Sequence, residues 1–277
     1  MTVVVFGSAN ADLIFRAAAL PAPGETILAQ DSAVAPGGKG LNQAVAAARA
    51  GARVAFHGAV GRDANGAMLR AALETAGVAT HLAEVEAPTG MAAIVVDAAG
   101  RNQITVAPGA NLLARAPEDV PPGALVMLQM EVPPEQNAAL IRRARCMLNL
   151  APAAAQPELA ALSWLVVNEP EAAWLAAQLG TVPEALSETL GIGVARTLGE
   201  RGAAYAGPEG RFDVPAFPVA VTDSVGAGDA WCGAWAAALD ARMPMGLALR
   251  RANAAGALAC TRPGAWAPTA VEIEDLL

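Results

Sequence analysis

Several side chains that often carry protein chemistry are scarce in this sequence, and each shortage removes a class of function. Cysteine occurs only at Cys146, Cys232 and Cys260, and histidine only at His57 and His81, with no CxxC pair. That spacing excludes the usual structural zinc patterns and fits a reducing compartment, with the cysteines expected as small buried apolar residues. Long apolar runs are missing too. Hydrophobic residues reach 55% and mean hydropathy is +0.38, but the excess is alanine dispersed among Gly, Pro and Arg, so no stretch can span a bilayer. The opening apolar residues, 3–6, are interrupted at once by Gly7, Ser8, Asn10 and Asp12, with no basic segment before them. No signal peptide and no membrane partner are expected, and the chain is placed in the cytoplasm.

Positive charge is also short. A formal net charge of −8 and a pI near 4.8 exclude a general nucleic-acid binder, which needs a basic face. Among 18 basic residues Lys39 is the only lysine; one ammonium kept in so arginine-biased a chain points to a local need for a compact point charge. Two nucleotide motifs are absent: GxxxxGK[ST], and a GxGxxG after the first strand, whose lack argues against a dinucleotide-dependent oxidoreductase. No repeat and no Ser-rich or charged linker divides the 277 residues, so 1–277 is read as a single α/β domain.

What is present centres on Asp223-Ser224-Val225-Gly226-Ala227-Gly228-Asp229. It joins an apolar strand pattern over 212–221 to a small-residue helix over 230–239. Small residues between two acids on a strand-to-helix turn leave backbone N–H groups uncovered at a helix start, where they can cradle an anion. Asp229, in the first turn, can cap the helix or take a proton from a hydroxyl. By itself the stretch reads equally well as a capped helix after a glycine turn.

The first strand, 3–8, leads to Asn10 and Asp12 at its carboxyl end, the edge where open α/β sheets bind ligands; alone, both residues are also ordinary turn formers. Residues 13–35 are an excursion with a turn at 21–25 and a short strand at 26–30. Gly37-Gly38-Lys39-Gly40 then opens a helix over 41–50, with Asn42 in its first turn and Gly51 as its stop. A strand (54–60) and a helix (65–76) follow, then a hairpin with arms 91–97 and 102–106 and a turn at 98–101. Segments 13–35 and 89–108 together suggest a small sheet outside the main layers, a lid.

The remainder alternates strand and helix, implying a mostly parallel sheet with helices on both faces. Strand 125–129 ends near Glu131, a helix covers 137–145, and strand 147–150 follows. Strand 165–167 ends in Asn168-Glu169-Pro170-Glu171, and strand 193–197 leads into Leu198-Gly199-Glu200-Arg201-Gly202. Two more strands, 203–206 and 212–221, and helices 230–239 and 245–260 complete the core.

Taken together, these residues resemble the ribokinase branch of the PfkB carbohydrate kinase family. The resemblance rests on Gly37-Gly38-Lys39-Gly40-Leu41-Asn42-Gln43-Ala44, continuing to Gly58-Ala59-Val60-Gly61-Arg62-Asp63, and on Asp223 to Asp229, and it runs nearly end to end. It implies a three-layer, Rossmann-like, mostly parallel sheet with a small β-sheet lid, and ATP-dependent phosphorylation of a sugar hydroxyl. GGKG together with Asn10-Ala11-Asp12 favours ribose; another sugar or a nucleoside is the alternative within the class, and a non-catalytic sugar-binding relative the alternative outside it.

Carried over residue by residue, the resemblance makes Asp229 the general base and the backbone of Gly226, Ala227 and Gly228 the anion hole. Sugar binding falls to Asn10, Asp12, Gly38, Lys39, Asn42, Glu131 and Asp229. Nucleotide binding falls to Asn168, Thr197, Gly199, Gly202, Gly228 and Asn253, and Glu171 helps to organise Mg²⁺ indirectly. For K⁺ the pattern is Asp223 with the carbonyls of Val225, Ala259, Arg262 and Gly264. Pro268 stands where the family often has a serine ligand, so either Thr269 substitutes or the site is one ligand short. A homodimer paired through an apolar lid face of Ile94, Val96, Ile104 and Val106 is also implied.

Overall fold

The computed structural model describes residues 2–98 and 101–277. The chain opens with β1 (Val3–Phe6), fully buried, then runs through β2 (Asn10–Arg16) and β3 (Asp31–Gly37) into helix α1 (Lys39–Arg49). β4 (Val54–Gly61), α2 (Ala64–Thr75) and β5 (Ala79–Val85) follow, then the pair β6 (Gly90–Val96) and β7 (Asn102–Ala107). The second half runs β8 (Leu125–Leu128), α3 (Pro134–Ile141), β9 (Arg145–Asn149), β10 (Trp164–Asn168), α4 (Glu169–Leu179), α5 (Leu186–Leu190) and β11 (Gly193–Thr197). It ends with the hairpin β12 (Ala203–Gly207) and β13 (Gly210–Val214), then α6 (Ala227–Asp240), α7 (Met245–Ala259) and α8 (Ala270–Leu276).

Among the described residues, nine strands form the main sheet in the order β13-β12-β11-β10-β9-β8-β1-β4-β5, and four form a separate sheet, β3-β2-β6-β7. The main sheet is parallel from β5 to β11 and antiparallel across β11, β12 and β13. From β1 the chain builds outward to β4 and β5, then returns to β8 and builds the other way. The carboxyl ends of β1 and β8 therefore flank a topological switch point, where such sheets bind ligands.

One apolar layer joins α1, α2, α6 and α7 to the sheet through residues such as Val5, Phe56, Met127 and Trp235. The opposite layer joins α3, α4 and α5 through Phe6, Val126, Leu148 and Leu165. Alanine and glycine let α1 and α6 approach closely. A Cβ on Gly233 would lie 2.5 Å from the Ala46 Cβ and 2.6 Å from the Ala47 amide nitrogen. That contact brings the first turns of the two helices together and decides the geometry of the site below.

Several expected boundaries differ. Residues 26–30 form no strand; the pairing segment is β3, antiparallel to β2. Asn10 and Asp12 belong to the small sheet, which begins at Asn10 rather than at residue 13. The expected helix 137–145 begins earlier, with Pro134 in its first turn, where a missing N–H costs nothing, and ends at Ile141, while Arg145 already opens β9. The long strand expected over 212–221 stops at Val214, because Pro215 and Pro218 cannot donate to a ladder. Ile94 is 6% exposed, so it is not part of an open apolar face. Of the expected turn 98–101, Ala99 and Gly100 lie outside the described residues.

Candidate active site

Asp229 stands in the first turn of α6 and is buried, yet its carboxylate meets the amides of α1. Asn42 Nδ2 donates to Oδ2 at 3.2 Å and Gln43 Nε2 donates to Oδ1 at 2.9 Å. Burial pushes the Asp229 carboxyl up from its ordinary range; Lys39 and the two amide donors pull it back without cancelling the effect, and Glu131 adds to the rise. A carboxylate shifted in this sense is a better proton acceptor than one in water.

The turn before it is open. Gly226 caps α6 in the left-handed region at φ 75°. The Ala227 amide turns inward to the Ser224 carbonyl at 3.2 Å, whereas the amides of Gly226, Gly228 and Asp229 have no acceptor among the described residues. The free donors are thus shifted slightly from the expected set: Ala227 is engaged and Asp229 takes its place. A Cβ on Gly228 would meet no atom within 4 Å, so this turn faces space.

That space is a cavity of about 150 Å³ lined by Lys39, Asn168, Glu171, Thr197, Gly228 and Asp229, among others. Cys232, one turn beyond Asp229, also lines it. Its thiol is held well above the usual range by burial and by Asp229, which makes it an inert packing group. Asn168 caps α4, accepting from the Glu171 amide at 2.8 Å, while Glu171 Oε2 accepts from the Asn168 amide at 2.8 Å. Burial raises the Glu171 pKa against the pull of the Asn168 N–H and Lys39. For Lys39, burial alone would favour the neutral amine; Asp229, Glu131 and Glu171 outweigh it and the pKa rises, so it stays an ammonium.

Glu131 is fixed across the switch point. Its Oε2 accepts from Ser8 Oγ at 2.5 Å and from the Lys39 amide at 3.1 Å. Asn10 is buried, with Oδ1 accepting from Asn111 Nδ2 at 2.7 Å. Asp12 is pushed up to about 6 by burial and by the charges of Glu131 and Asp229. Asn10, Asp12, Lys39, Asn42, Glu131 and Asp229 are thereby brought into one acidic cluster around a single ammonium. It follows that Asp12 loses its charge as pH falls through about 6. If Asp12 grips a hydroxyl, the KM for the acceptor rises by about tenfold per pH unit below that value, and Asp12→Asn removes the rise. Steady-state KM between pH 5 and 8 checks this.

Gly199 and Gly202 shape the turn after β11 with φ of 58° and 98°, and Thr197 borders the cavity. The Asn253 side chain is held at both ends of its amide by protein partners. Its Oδ1 accepts from Trp231 Nε1 at 2.8 Å, and its Nδ2 donates to the Val214 and Pro215 carbonyls at 2.9 and 3.1 Å. The amide is committed to pinning the segment after β13 against α6 and α7.

The loop beyond α7 is similarly self-contained. Asp223 accepts from the Val225 amide at 2.9 Å and from the Gly264 amide at 2.8 Å. The Ala259 carbonyl accepts the Arg262 amide at 3.4 Å. Thr269 caps α8, its Oγ1 donating to Glu272 Oε2 at 2.8 Å, so it does not replace the missing hydroxyl at Pro268. Arg49 donates to the Ala267 carbonyl at 2.5 Å, and Arg262 stacks on Trp266 at 4.0 Å. Two amide donors thus face the Asp223 carboxylate, and Pro268 offers no side-chain ligand.

Ser8, Gln43, Asn111 and Asn149 are the residues of this centre that the sequence pattern did not single out. Gln43 stands inside the matching motif over 37–44; for the others the only signal is a polar side chain among otherwise apolar neighbours. A larger concavity of about 440 Å³ surrounds Arg145 and Trp164 at the amino ends of β9 and β10, away from these residues.

The sequence profile described as pfkB family carbohydrate kinase matches residues 1–271. The ribokinase of Bacillus subtilis is 35% identical over 99% of both chains. Among solved structures, the ribokinase of Thermotoga maritima superposes with a TM-score of 0.88 at 30% identity, covering 99% of this chain and 98% of its own. The Arabidopsis thaliana ribokinase, complexed with ribose and ATP, gives a TM-score of 0.86 at 29% identity, covering 99% and 97%.

Proposed function

The chain belongs to the pfkB family of carbohydrate kinases, and we propose that it is a ribokinase, transferring the γ-phosphoryl of ATP to a hydroxyl of ribose. The observation that carries this reading is the buried Asp229 carboxylate at the open amide turn of α6, facing the same cavity as Lys39 and Glu171. Asp229 takes the proton from the sugar hydroxyl as its oxygen attacks the γ-phosphorus. The bond to the ADP oxygen breaks, and sugar phosphate, ADP and a proton result. The free amides of Gly226, Gly228 and Asp229 then sit where charge accumulates on the transferred group, the usual main source of acceleration in phosphoryl transfer.

Lys39, lining the same cavity, neutralises phosphate charge. Asn10, Asp12 and Glu131 supply acceptors and an amide for vicinal hydroxyls. Asn168 and Glu171 suit Mg²⁺: one carboxylate at the cavity wall, working with phosphate oxygens, is how this ion is usually held. When bound, Mg²⁺ neutralises the phosphates; the chain's own part is to keep Glu171 charged beside Lys39. Because Pro268 offers no ligand, K⁺ is expected to stimulate turnover only weakly.

The test is ADP release with Mg²⁺ over a panel of ribose, other pentoses, fructose, ketodeoxygluconate and nucleosides, each in K⁺ and in Na⁺. Fast turnover on ribose, only slightly faster in K⁺, is the expected result. Turnover on another acceptor keeps the mechanism and changes the substrate. No turnover, with sugar binding retained, supports the non-catalytic reading, and strong K⁺ stimulation overturns the expectation drawn from Pro268.

The four-stranded sheet is proposed as a lid over the sugar, since Asp12 lies on it beside Ala92 and Ala35 in register. Its edges β3 and β7 carry exposed Val34, Ile104 and Val106. Apolar edge strands of this kind favour pairing with a second copy. A dimer by light scattering at micromolar concentration is expected; a monomer overturns the assignment.

A further inference from the structure

Asp229 is held by a chain of buried amides that reaches far beyond the residues touching substrate. Gln43 is fully buried on α1, and all its hydrogen-bonding capacity toward neighbours is directed. Nε2 donates to Asp229 Oδ1 at 2.9 Å and to Asn149 Oδ1 at 3.1 Å, while Oε1 accepts from Gln129 Nε2 at 2.8 Å. Gln129 is also fully buried; its backbone carbonyl accepts from Asn137 Nδ2 at 2.8 Å, while its side-chain Oε1 has no partner among the described residues, so its amide is aligned by Gln43 alone. Asn149 Nδ2 reaches the Val166 carbonyl at 3.5 Å.

The polarity of this chain is forced. An ionised carboxylate only accepts, so Gln43 must present its NH₂ to Asp229, and its oxygen must then face the Gln129 NH₂. Reversing Gln43 would set its buried oxygen against the Asp229 carboxylate, two acceptors facing each other, a costly arrangement. We propose that Gln43, paired with Gln129, is a positioning residue: it occupies Oδ1 of Asp229 and thereby leaves Oδ2 as the atom that receives the substrate proton. Each oxygen accepts one donor, but the bond to Oδ2, from Asn42 at 3.2 Å, is the longer and weaker, so Oδ2 is the more basic of the two.

This inference rests on the proposed base role of Asp229. The groups that face that carboxylate are Lys39, Asn42 and Gln43 from α1, Glu131 beyond β8 and Asp12 from β2, with Glu171 and Cys232 around the shared cavity. Of these, Gln43 can be changed without altering a charge or a group placed against substrate.

The experiment compares Gln43→Met, Gln129→Met and the double variant, measuring kcat and KM for ribose and ATP from pH 5 to 9. Gln43→Met is expected to lower kcat by about tenfold to 10²-fold, within the range by which general bases act, with both KM values within about twofold. Loss of a donor to a carboxylate raises its pKa, and the base works ionised, so the acid limb of kcat should move to higher pH. Gln129→Met should produce a smaller change in the same direction that vanishes in the Gln43→Met background. An unmoved acid limb, or an undiminished Gln129 effect in the double variant, overturns the proposal. If Gln43→Met does not fold, the acid limb of Gln129→Met decides alone. Failure here leaves the base assignment standing, whereas full turnover by Asp229→Asn removes it whatever Gln43 does.

Discussion

Asp229→Asn is expected to lower kcat by about 10³-fold or more, the upper range of what a positioned proton acceptor contributes, while sugar and ATP binding change little. The substitution keeps the side-chain shape, and its Oδ1 can still accept from Gln43 at the position where Gln43 Nε2 now stands 2.9 Å from the carboxylate. What it removes is the ability to hold a proton. The fold should not suffer. Burial drives the Asp229 carboxyl upward despite Lys39 and two amide donors, so the charged form is held there at a cost to stability. A neutral amide removes that cost and relieves repulsion with Glu131. The expected outcome is therefore a dead enzyme with an unchanged or raised melting temperature and intact binding by calorimetry. Unchanged turnover would refute the base assignment, and lost binding would show that Asp229 chiefly holds the sugar.

The line between what the residues announced and what they concealed follows the range of the interactions. Lys39, Asp229 and the glycines around them were legible because local backbone geometry demands them: a helix start with open amides needs small residues, and phosphate chemistry needs a nearby cation. The main sheet was legible for the same reason, as short apolar runs alternate with helical ones. The small sheet was expected from the same two segments, but its first two strands were placed a few residues off because their register is set by pairing, not by their own pattern. β2 pairs with β3 on one side and β6 on the other, and that recruits Asn10 and Asp12 into a strand although both are good turn formers. Asn253 was assigned to the nucleotide by the family resemblance, and no local pattern marked the hydrogen bonds of its amide. Its partners, Trp231 and the carbonyls of Val214 and Pro215, are distant in sequence and carry no local mark. Gln43 stood inside the matching motif, but nothing local marked it as a partner of Asp229. Thr269 was ambiguous until Glu272 was seen to close a capping box with it.

Gly226→Ala is expected to have the second largest effect, and a companion variant separates its causes. Gly226 adopts φ 75°, and an added Cβ would lie 2.6 Å from the Ala265 Cα. The left-handed conformation alone costs about 1 kcal/mol or more for a residue with a side chain, and a backbone atom at that distance cannot swing away as a flexible side chain would. Either the 226–229 turn or the 263–266 loop must move. Moving the turn withdraws the free amides from the transferred phosphoryl, and losing one such donor typically costs about 10²–10³ in kcat. Strain of about 1–3 kcal/mol should also lower the melting temperature by several degrees. Gly228→Ala isolates the functional part. Its Cβ meets nothing within 4 Å and its φ is not positive, so stability should hold. The new methyl group would project into the open space beside the turn, raising the ATP KM and lowering kcat without a change in melting temperature. If Gly226→Ala retains both turnover and stability, the 263–266 loop yields readily, and the turn is not the rigid anion cradle described above.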